Sequence, residues 1–241
     1  IIGPANDGKY LVTVKADPTD GGVAYGGGRY AKDENATLTA TAQPGWFFIG
    51  WYQDGGETAV STSKSYQYPV GETDVTFTAK FIEDKLYQAE QAKDAFDEAQ
   101  KKGNLTWTIL TDAVDAYEAV PAYLEQVKAI SDLLTDEEKT ALDNRYAALT
   151  NDYKSVTALN LSNQNISSAD LAKLSLFTGV TELNLSGNRG VTDLTGLTSL
   201  TTLTTLDISN TGVTNLGSNQ SVPQNLATLT AKNLSLTSIS A

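Results

Sequence analysis

The sequence predicts an α+β chain of several domains: a small sheet domain, a helical bundle or cap, and a short solenoid built from repeats. Apolar and polar residues alternate along the first part of the chain, which is typical of strands. A helical period replaces this alternation near residue 84, and a motif recurs about every 23 residues in the last third. We therefore expect domains at residues 1–83, 84–154 and 155–241.

Composition excludes several classes of function. The 241 residues carry a net charge of −12, whereas nucleic-acid binding requires clustered lysine and arginine. The chain lacks cysteine and histidine, which removes thiolate nucleophiles, histidine-based triads and the usual zinc sites. No apolar run approaches about 18 residues, so we expect no membrane insertion. Methionine is also absent, and we expect a monomeric, non-catalytic piece of a longer protein without cofactor or metal.

Residues 1–83 are predicted to form about five strands in one half-open sheet around a single core. The clearest alternating runs are residues 10–16, 36–42 and 74–82, separated by turn sequences. Strict alternation would place Phe48 and Trp51 on opposite faces of a strand. Gly50 predicts a bulge that returns Trp51 to the face of Phe48, so that both side chains fill the core.

Three features of this segment also admit a functional interpretation. Trp46 and Trp51 could form a platform that stacks on sugars, although aromatics in strands usually pack in the core. The glycines at 26–28 could cradle a phosphate, but the helix and Lys-Ser/Thr of such a loop are missing, which favours a turn. Four acids could bind calcium, but their spacing departs from that of a dedicated loop and favours solvated turns: Asp17, Asp20, Asp33 and Glu34.

Glycines, aromatics and threonine-rich strands follow a recognisable order in residues 9–82: Gly27, Gly28 and Tyr30, then Gly45, Trp46, Phe48, Gly50 and Trp51, then Val75, Phe77 and Phe81. This order resembles the divergent B-repeat domain of internalin-type bacterial surface proteins. The resemblance implies a small β-grasp-like module in an exported, multi-module protein of a Gram-positive bacterium. Since such modules are mostly spacers, the resemblance implies an extracellular or cell wall-associated location more than an activity.

Residues 84–154 are predicted to hold four amphipathic helices with short loops. Their apolar stripes are Leu86, Ala89, Ala92, Phe96 and Ala99; Trp107, Leu110, Val114, Tyr117 and Val120; Leu124, Val127, Ile130 and Leu134; and Leu142, Tyr146, Leu149 and Tyr153. Thr135 and Glu138 predict a capping box before the fourth helix. Glu137 and Glu138 could suggest catalysis, but acids are also favoured at a helix N-terminus. The segment is either an independent bundle or a cap on the repeats, and we expect at least the fourth helix to cap them.

The last segment repeats a short strand with apolar residues at alternate positions. Eight residues are predicted to face the core: Leu159, Leu161, Leu183, Leu185, Leu206, Ile208, Leu229 and Ala231. The phrases ending at Asn188 and Val213 resemble the leucine-rich repeats of about 22 residues in internalin-like proteins. The resemblance implies about four repeats, truncated or terminal. In such repeats an Asn usually makes a side-chain hydrogen bond within the turn after the strand. In this chain its position is occupied by Gln164, Asn188, Thr211 and Leu234, and Leu234 cannot make that bond.

Strand parity predicts which repeat residues point outward on the concave side of the sheet, a surface that we call the polar face. Its candidate ligand-binding residues are Asn160, Glu182, Asn184, Thr205, Asp207, Thr230 and Lys232. The polar face lacks Trp, Tyr and Arg, the residues that most often anchor binding energy. A solvated sheet surface is therefore the alternative.

Three functions are compatible with these features. The repeats predict a cell-surface or secreted module for binding or adhesion, with a protein or cell-surface ligand. One alternative is a structural spacer in a larger wall-anchored protein. The other is an accessory glycan-binding region of a secreted enzyme, which would require exposed Trp46 and Trp51.

Overall fold

The computed structural model describes residues 8–130, 133–216 and 223–237. The architecture is mixed α+β, with three sheets and four α-helices in those ranges. The chain divides into two compact units, Ile1–Gln88 with Val120–Leu142 and Ala89–Ala119 with Asp143–Ala241. None of the helices in the described ranges is long and apolar enough to cross a membrane.

Seven strands form two sheets in the first unit: β1 (Lys9–Asp17), β2 (Gly22–Tyr25), β3 (Gly28–Ala31), β4 (Asn35–Ala42), β5 (Trp46–Gln53), β6 (Ser65–Pro69) and β7 (Val75–Glu83). The sheet orders are β3-β1-β7-β5 and β2-β4-β6, and β1 pairs in parallel with β7. The prediction of about five strands in one sheet is therefore wrong. The strands β2, β3 and β6 have only four or five residues each, too few for a clear alternation.

Both sheets of the first unit contribute to one hydrophobic core, as predicted. Leu38 comes from the smaller sheet and Phe77 from the larger, and both are completely buried. The predicted bulge in β5 is confirmed, because the pairing with β7 shifts between Phe48 and Gly50, and Gly50 has a φ of 142°. Trp51 is consequently buried beside Phe48, with ring centroids 5.8 Å apart.

The four predicted helices are present as α1 (Lys85–Lys102), α2 (Trp107–Glu118), α3 (Val120–Ala129) and α4 (Asp136–Lys154). The capping box before α4 is confirmed: the Glu138 amide donates to Thr135 Oγ1 at 3.2 Å, and the Thr135 amide donates to Glu138 Oε2 at 2.8 Å. The predicted third stripe is too long. Because α3 ends at Ala129, Ile130 and Leu134 lie outside it and are only half-buried.

The second unit contains a parallel sheet of three-residue strands: β8 (Ala158–Asn160), β9 (Glu182–Asn184), β10 (Thr205–Asp207) and β11 (Thr228–Thr230). Strands that follow each other in the chain are neighbours in the sheet. A 3₁₀ helix at Ser168–Leu176 follows β8, and another at Thr195–Leu197 follows β9.

Six of the eight residues predicted to face the core of this sheet are at most 2% exposed: Leu159, Leu161, Leu183, Leu185, Leu206 and Ile208. The prediction is wrong for Leu229, which is 38% exposed, and Ala231 is only half-buried. Both belong to the last strand and its exit. Within the described ranges, β11 has a neighbouring strand on one side only.

Helical residues of the second unit pack against the first repeat. Phe96 of α1 and Tyr153 of α4 each lie against Phe177, with ring centroids 5.6 Å apart in both pairs, and all three rings are completely buried. Lys173, in the first 3₁₀ helix, pairs with two acids of α2, Asp115 at 2.5 Å and Glu118 at 2.8 Å. The end of α4 thus contacts the first repeat, where we expected a cap.

Candidate functional site

The polar face is built by the register of the parallel sheet. One row contains Glu182, Thr205 and Thr228, and the next contains Asn160, Asn184, Asp207 and Thr230. Adjacent strands in a sheet are about 4.8 Å apart, so neighbouring side chains in a row can touch one ligand. Lys232 follows β11 by two residues and is exposed. Six of the seven predicted candidates therefore occupy adjoining positions along one sheet, and Lys232 lies just after its last strand.

Three of the candidate side chains also hold turns. The Oδ1 atom of Asn160 accepts a hydrogen bond from the Ser162 amide at 3.2 Å. Asn184 accepts in the same way from Ser186 at 2.9 Å, and Asp207 from Ser209 at 2.8 Å. Such Asx turns stabilise a chain reversal directly after a strand. One oxygen of each side chain is therefore engaged by the backbone.

A row of residues in the left-handed conformation follows the strands. The φ angles are 57° at Asn163, 79° at Gly187, 57° at Asn210 and 56° at Asn233. Asparagine and glycine are the residues that adopt this conformation at the lowest cost. The row was not predicted from the sequence, although the spacing of these residues matches that of the strands.

Asn188 is the most completely bonded polar side chain beneath the polar face. It is fully buried, and its Nδ2 donates to Leu161 O and Leu185 O at 2.8 Å each. Its Oδ1 accepts from the Gln164 amide at 2.9 Å and from the Ile166 amide at 3.1 Å. Thr211, at the equivalent position, makes one such bond, from Oγ1 to Ile208 O at 2.7 Å.

A cleft of about 160 Å³ adjoins the β8 end of the polar face, lined by Gln100, Gly103, Leu105, Asn160, Ser162 and Gln164. Two amide side chains join its walls: Gln100 Nε2 donates to Ala158 O at 2.9 Å, and Gln164 Oε1 accepts from the Trp107 amide at 3.0 Å. Gln100 Oε1 is buried, and no described residue donates to it. The lining is uncharged, so the cleft suits neutral polar groups rather than ions.

A second cleft, of about 170 Å³, is charged and lined by Glu90, Lys93, Asp94, Asp97, Arg145, Ala148, Leu149 and Asp152. Lys93 is 5% exposed, pairs with Asp97 at 2.6 Å and lies 5.3 Å from the Tyr153 ring centroid. Burial and the charge of Asp97 raise the pKa of Tyr153 above its ordinary value. Lys93 was not predicted, although its position between Ala89 and Phe96 continues a buried stripe.

The structure bears on the three features of the first unit for which the sequence left a functional alternative. Trp51 is fully buried and its Nε1 donates to Ser63 O at 3.0 Å, while Trp46 is partly buried against the core. Gly26 has a φ of 105° between β2 and β3, and a Cβ there would lie 2.2 Å from Thr37 O. Among the described residues, no group of three or more acids could hold a metal ion.

Residues 12–85 match the family model described as the divergent InlB B-repeat domain. This match confirms the resemblance predicted for the first segment and covers roughly a third of the chain. The comparison with curated proteins found no match, and neither did the comparison with solved structures.

Proposed function

We propose that this chain is a non-catalytic module of a bacterial surface protein, whose polar face binds a protein or another macromolecule. The family match over residues 12–85 supports the surface location, because B-repeat domains are typical of bacterial surface proteins. The proposal includes an extracellular or cell wall-associated location in a Gram-positive bacterium. It also includes three domains at residues 1–83, 84–154 and 155–241.

We further propose that residues 155–241 are leucine-rich repeats in a short solenoid, with residues 217–222 and 238–241 outside the described part. The common register of β8 to β11 supports this interpretation, as do the buried leucines at equivalent positions. A stack of such units requires a covered end. The packing of Phe96 and Tyr153 on Phe177 supports a capping role for the helices.

The observation that carries the binding proposal is the cleft beside Asn160. It lies where the row of outward side chains ends, so a ligand lying along the polar face could place a polar group in it. Amide and hydroxyl groups line the cleft, and the face itself carries the acids Glu182 and Asp207 with few other charges. We propose a neutral or weakly basic ligand surface as the best match.

The test is a binding screen with the whole chain, followed by Glu182→Arg and Thr205→Arg. Both residues point outward, and neither side chain forms a turn hydrogen bond of the kind made by Asn184 and Asp207. A large cation at either position should weaken binding at least tenfold if the ligand covers the face. Ser175→Arg, at an exposed position of the first 3₁₀ helix, is the matched control.

Two results would count against the polar face. Unchanged affinity in both variants would place the ligand elsewhere, as would a loss confined to Ser175→Arg. If the screen yields no ligand, the structural spacer becomes the better proposal. The engagement of Asn160, Asn184 and Asp207 in turns already favours that alternative, because it leaves fewer free polar groups on the face. A glycan platform has less support, since Trp51 is buried.

A further inference from the structure

The cleft beside Asn160 combines uncharged polar groups with an apolar wall. The wall is Leu105, which is 8% exposed, and none of the six lining residues carries a charge. Its volume of about 160 Å³ is well below the roughly 300 Å³ of the smallest pockets that enclose a drug-sized ligand. The cleft is therefore suited to one neutral substituent of a larger molecule rather than to a whole molecule.

Asn160 provides a hydrogen-bond donor in this cleft. Its Oδ1 accepts from the Ser162 amide at 3.2 Å, which fixes the orientation of the side-chain amide. No described residue accepts from Nδ2 of Asn160, and none bonds to Oγ of Ser162. Because Nδ2 can only donate, it matches a carbonyl or hydroxyl oxygen of a ligand. The Ser162 hydroxyl can donate or accept.

Gln100 provides a hydrogen-bond acceptor. Its Nε2 donates to Ala158 O at 2.9 Å, which fixes this side-chain amide as well. Its Oε1 is buried from water, and no described residue donates to it. Such an acceptor gains more from a ligand N–H than an exposed one does, because it has no hydrogen bond to water to give up. Gln164 differs, since its Oε1 accepts from the Trp107 amide and its Nε2 donates to Ser162 O at 3.4 Å.

A donor, an acceptor and an apolar wall together complement an acetamido group. The ligand C=O accepts from Asn160 Nδ2, the ligand N–H donates to Gln100 Oε1, and the methyl group lies against Leu105. We propose that the cleft binds the acetamido group of an N-acetylated sugar in a glycan. This inference rests on the proposed binding role of the polar face and names the ligand chemistry at its β8 end.

The apolar wall favours an acetamido group over the amides of a peptide. A primary amide, as in an asparagine side chain, has an N–H where the acetamido group has its methyl, and that N–H would lie unpaired against Leu105. A backbone amide continues into the chain at both ends, whereas an acetamido group ends inside the cleft. The hydroxyl groups of the sugar ring can then bond with Ser162 Oγ at the cleft and with the polar face beyond it.

The test is a titration of the isotope-labelled whole chain with chitotriose, a trimer of N-acetylglucosamine, followed by NMR. The side-chain amide signals of Asn160 and Gln100 should shift and saturate with a dissociation constant of about 1 mM or tighter. A weak affinity is expected, because no aromatic ring lines the cleft to stack on the sugar. Cellotriose, which has hydroxyl groups in place of the acetamido groups, should bind at least tenfold more weakly.

Asn160→Asp removes the donor without removing the turn. Asp207, at the equivalent position of β10, accepts from the Ser209 amide at 2.8 Å, so aspartate supports the same turn. The variant should bind chitotriose at least tenfold more weakly, since a carboxylate cannot donate to the acetamido oxygen. Asn184→Asp is the matched control, because it makes the same change on β9 outside the cleft and should leave the affinity unchanged. Circular dichroism verifies the fold of both variants.

Three results would overturn the inference: no signal shifts at ten times the expected dissociation constant, equal binding of cellotriose, or equal losses in Asn160→Asp and Asn184→Asp. Binding of the tripeptide alanyl-asparaginyl-alanine at least as tightly as chitotriose would assign the cleft to peptides instead. The proposed function can fail separately. If Glu182→Arg and Thr205→Arg weaken a ligand from the screen while chitotriose does not bind, only the acetamido assignment is wrong. If chitotriose binds at the cleft but those two variants change no affinity, the role of the wider polar face is wrong.

Discussion

The first and last strands of the repeat sheet, β8 and β11, have the same length and the same inward leucine but different surroundings. At β8, α1 and α4 contribute Phe96 and Tyr153 against Phe177, and Leu159 is 2% exposed. At β11, the described residues supply a neighbour on one side only, and Leu229 is 38% exposed. The comparison shows that a repeat of this kind buries its leucine only when a further layer covers it, because a single unit is too thin to form a core.

Among the tests of this comparison, the largest effect is expected from truncating an aromatic side chain at the β8 end of the sheet. Phe177→Ala should lower the free energy of unfolding of the second unit by about 3–5 kcal/mol, because it leaves a cavity beside the buried rings of Phe96 and Tyr153. Leu229→Ala should cost less than about 1 kcal/mol, since its side chain is already partly hydrated. Urea-dependent hydrogen exchange of residues 156–216 measures both. Similar losses in the two variants would mean that the ends do not differ in energy.

Substitution of Asn188 tests whether the buried side of the sheet depends more on this side chain than on Thr211, which occupies the equivalent position. Asn188→Ala removes four hydrogen bonds and leaves buried backbone groups unpaired, so we expect a loss of about 3 kcal/mol. Thr211→Ala removes one bond and should cost about 1 kcal/mol. The same exchange experiment measures both variants. Equal losses would show that water hydrates the backbone groups that Asn188→Ala leaves unpaired.

Patterns confined to one element could be read from the sequence, whereas features that depend on a neighbouring element could not. Leu183 and Leu206 were predicted to be buried, and the Gly50 bulge and the Thr135 capping box were predicted as well, because each follows from local parity or spacing. The exposure of Leu229 depends on which strand is at the edge, and the burial of Lys93 depends on Tyr153 lying beside it. Neither the edge position of the last strand nor the contact between Lys93 and Tyr153 can be inferred from a single stretch of sequence.

The candidate site likewise combines features that local patterns predict with features that depend on distant residues. Parity sufficed to place six of the seven polar-face residues along one sheet, and Lys232 follows its last strand. It did not show that Asn160, Asn184 and Asp207 hold turns, although a serine two residues after each of them is a sequence signal for that role. The cleft beside Asn160 involves Gln100, which is 60 positions earlier in the chain and could not be associated with the face by spacing.

Alkaline pH should destabilise the end of the repeat sheet at β8, which α4 covers, before it destabilises the end at β11. Burial, with the neighbouring Tyr117, raises the pKa of Tyr146 to about 12, and burial also raises that of Tyr153. The folded state therefore binds more protons than the unfolded state above pH 10, so stability is retained below about pH 10 and falls as pH rises towards 12. Hydrogen exchange of α4, measured between pH 9 and pH 11, should accelerate beyond the intrinsic chemical rate. Tyr146→Phe should reduce this excess, and an unchanged excess would assign the effect to other groups.

The smallest effect concerns Gln100, whose side chain covers the edge of β8. Gln100→Ala removes the bond to Ala158 O and should cost about 1 kcal/mol, the usual net contribution of one hydrogen bond. Lys101→Ala, at a neighbouring position whose side chain is 80% exposed, should change stability by less than about 0.5 kcal/mol and serves as the control. Urea-dependent hydrogen exchange of the second unit measures both variants. Equal losses in Gln100→Ala and Lys101→Ala would show that the bond to Ala158 O does not stabilise the β8 edge.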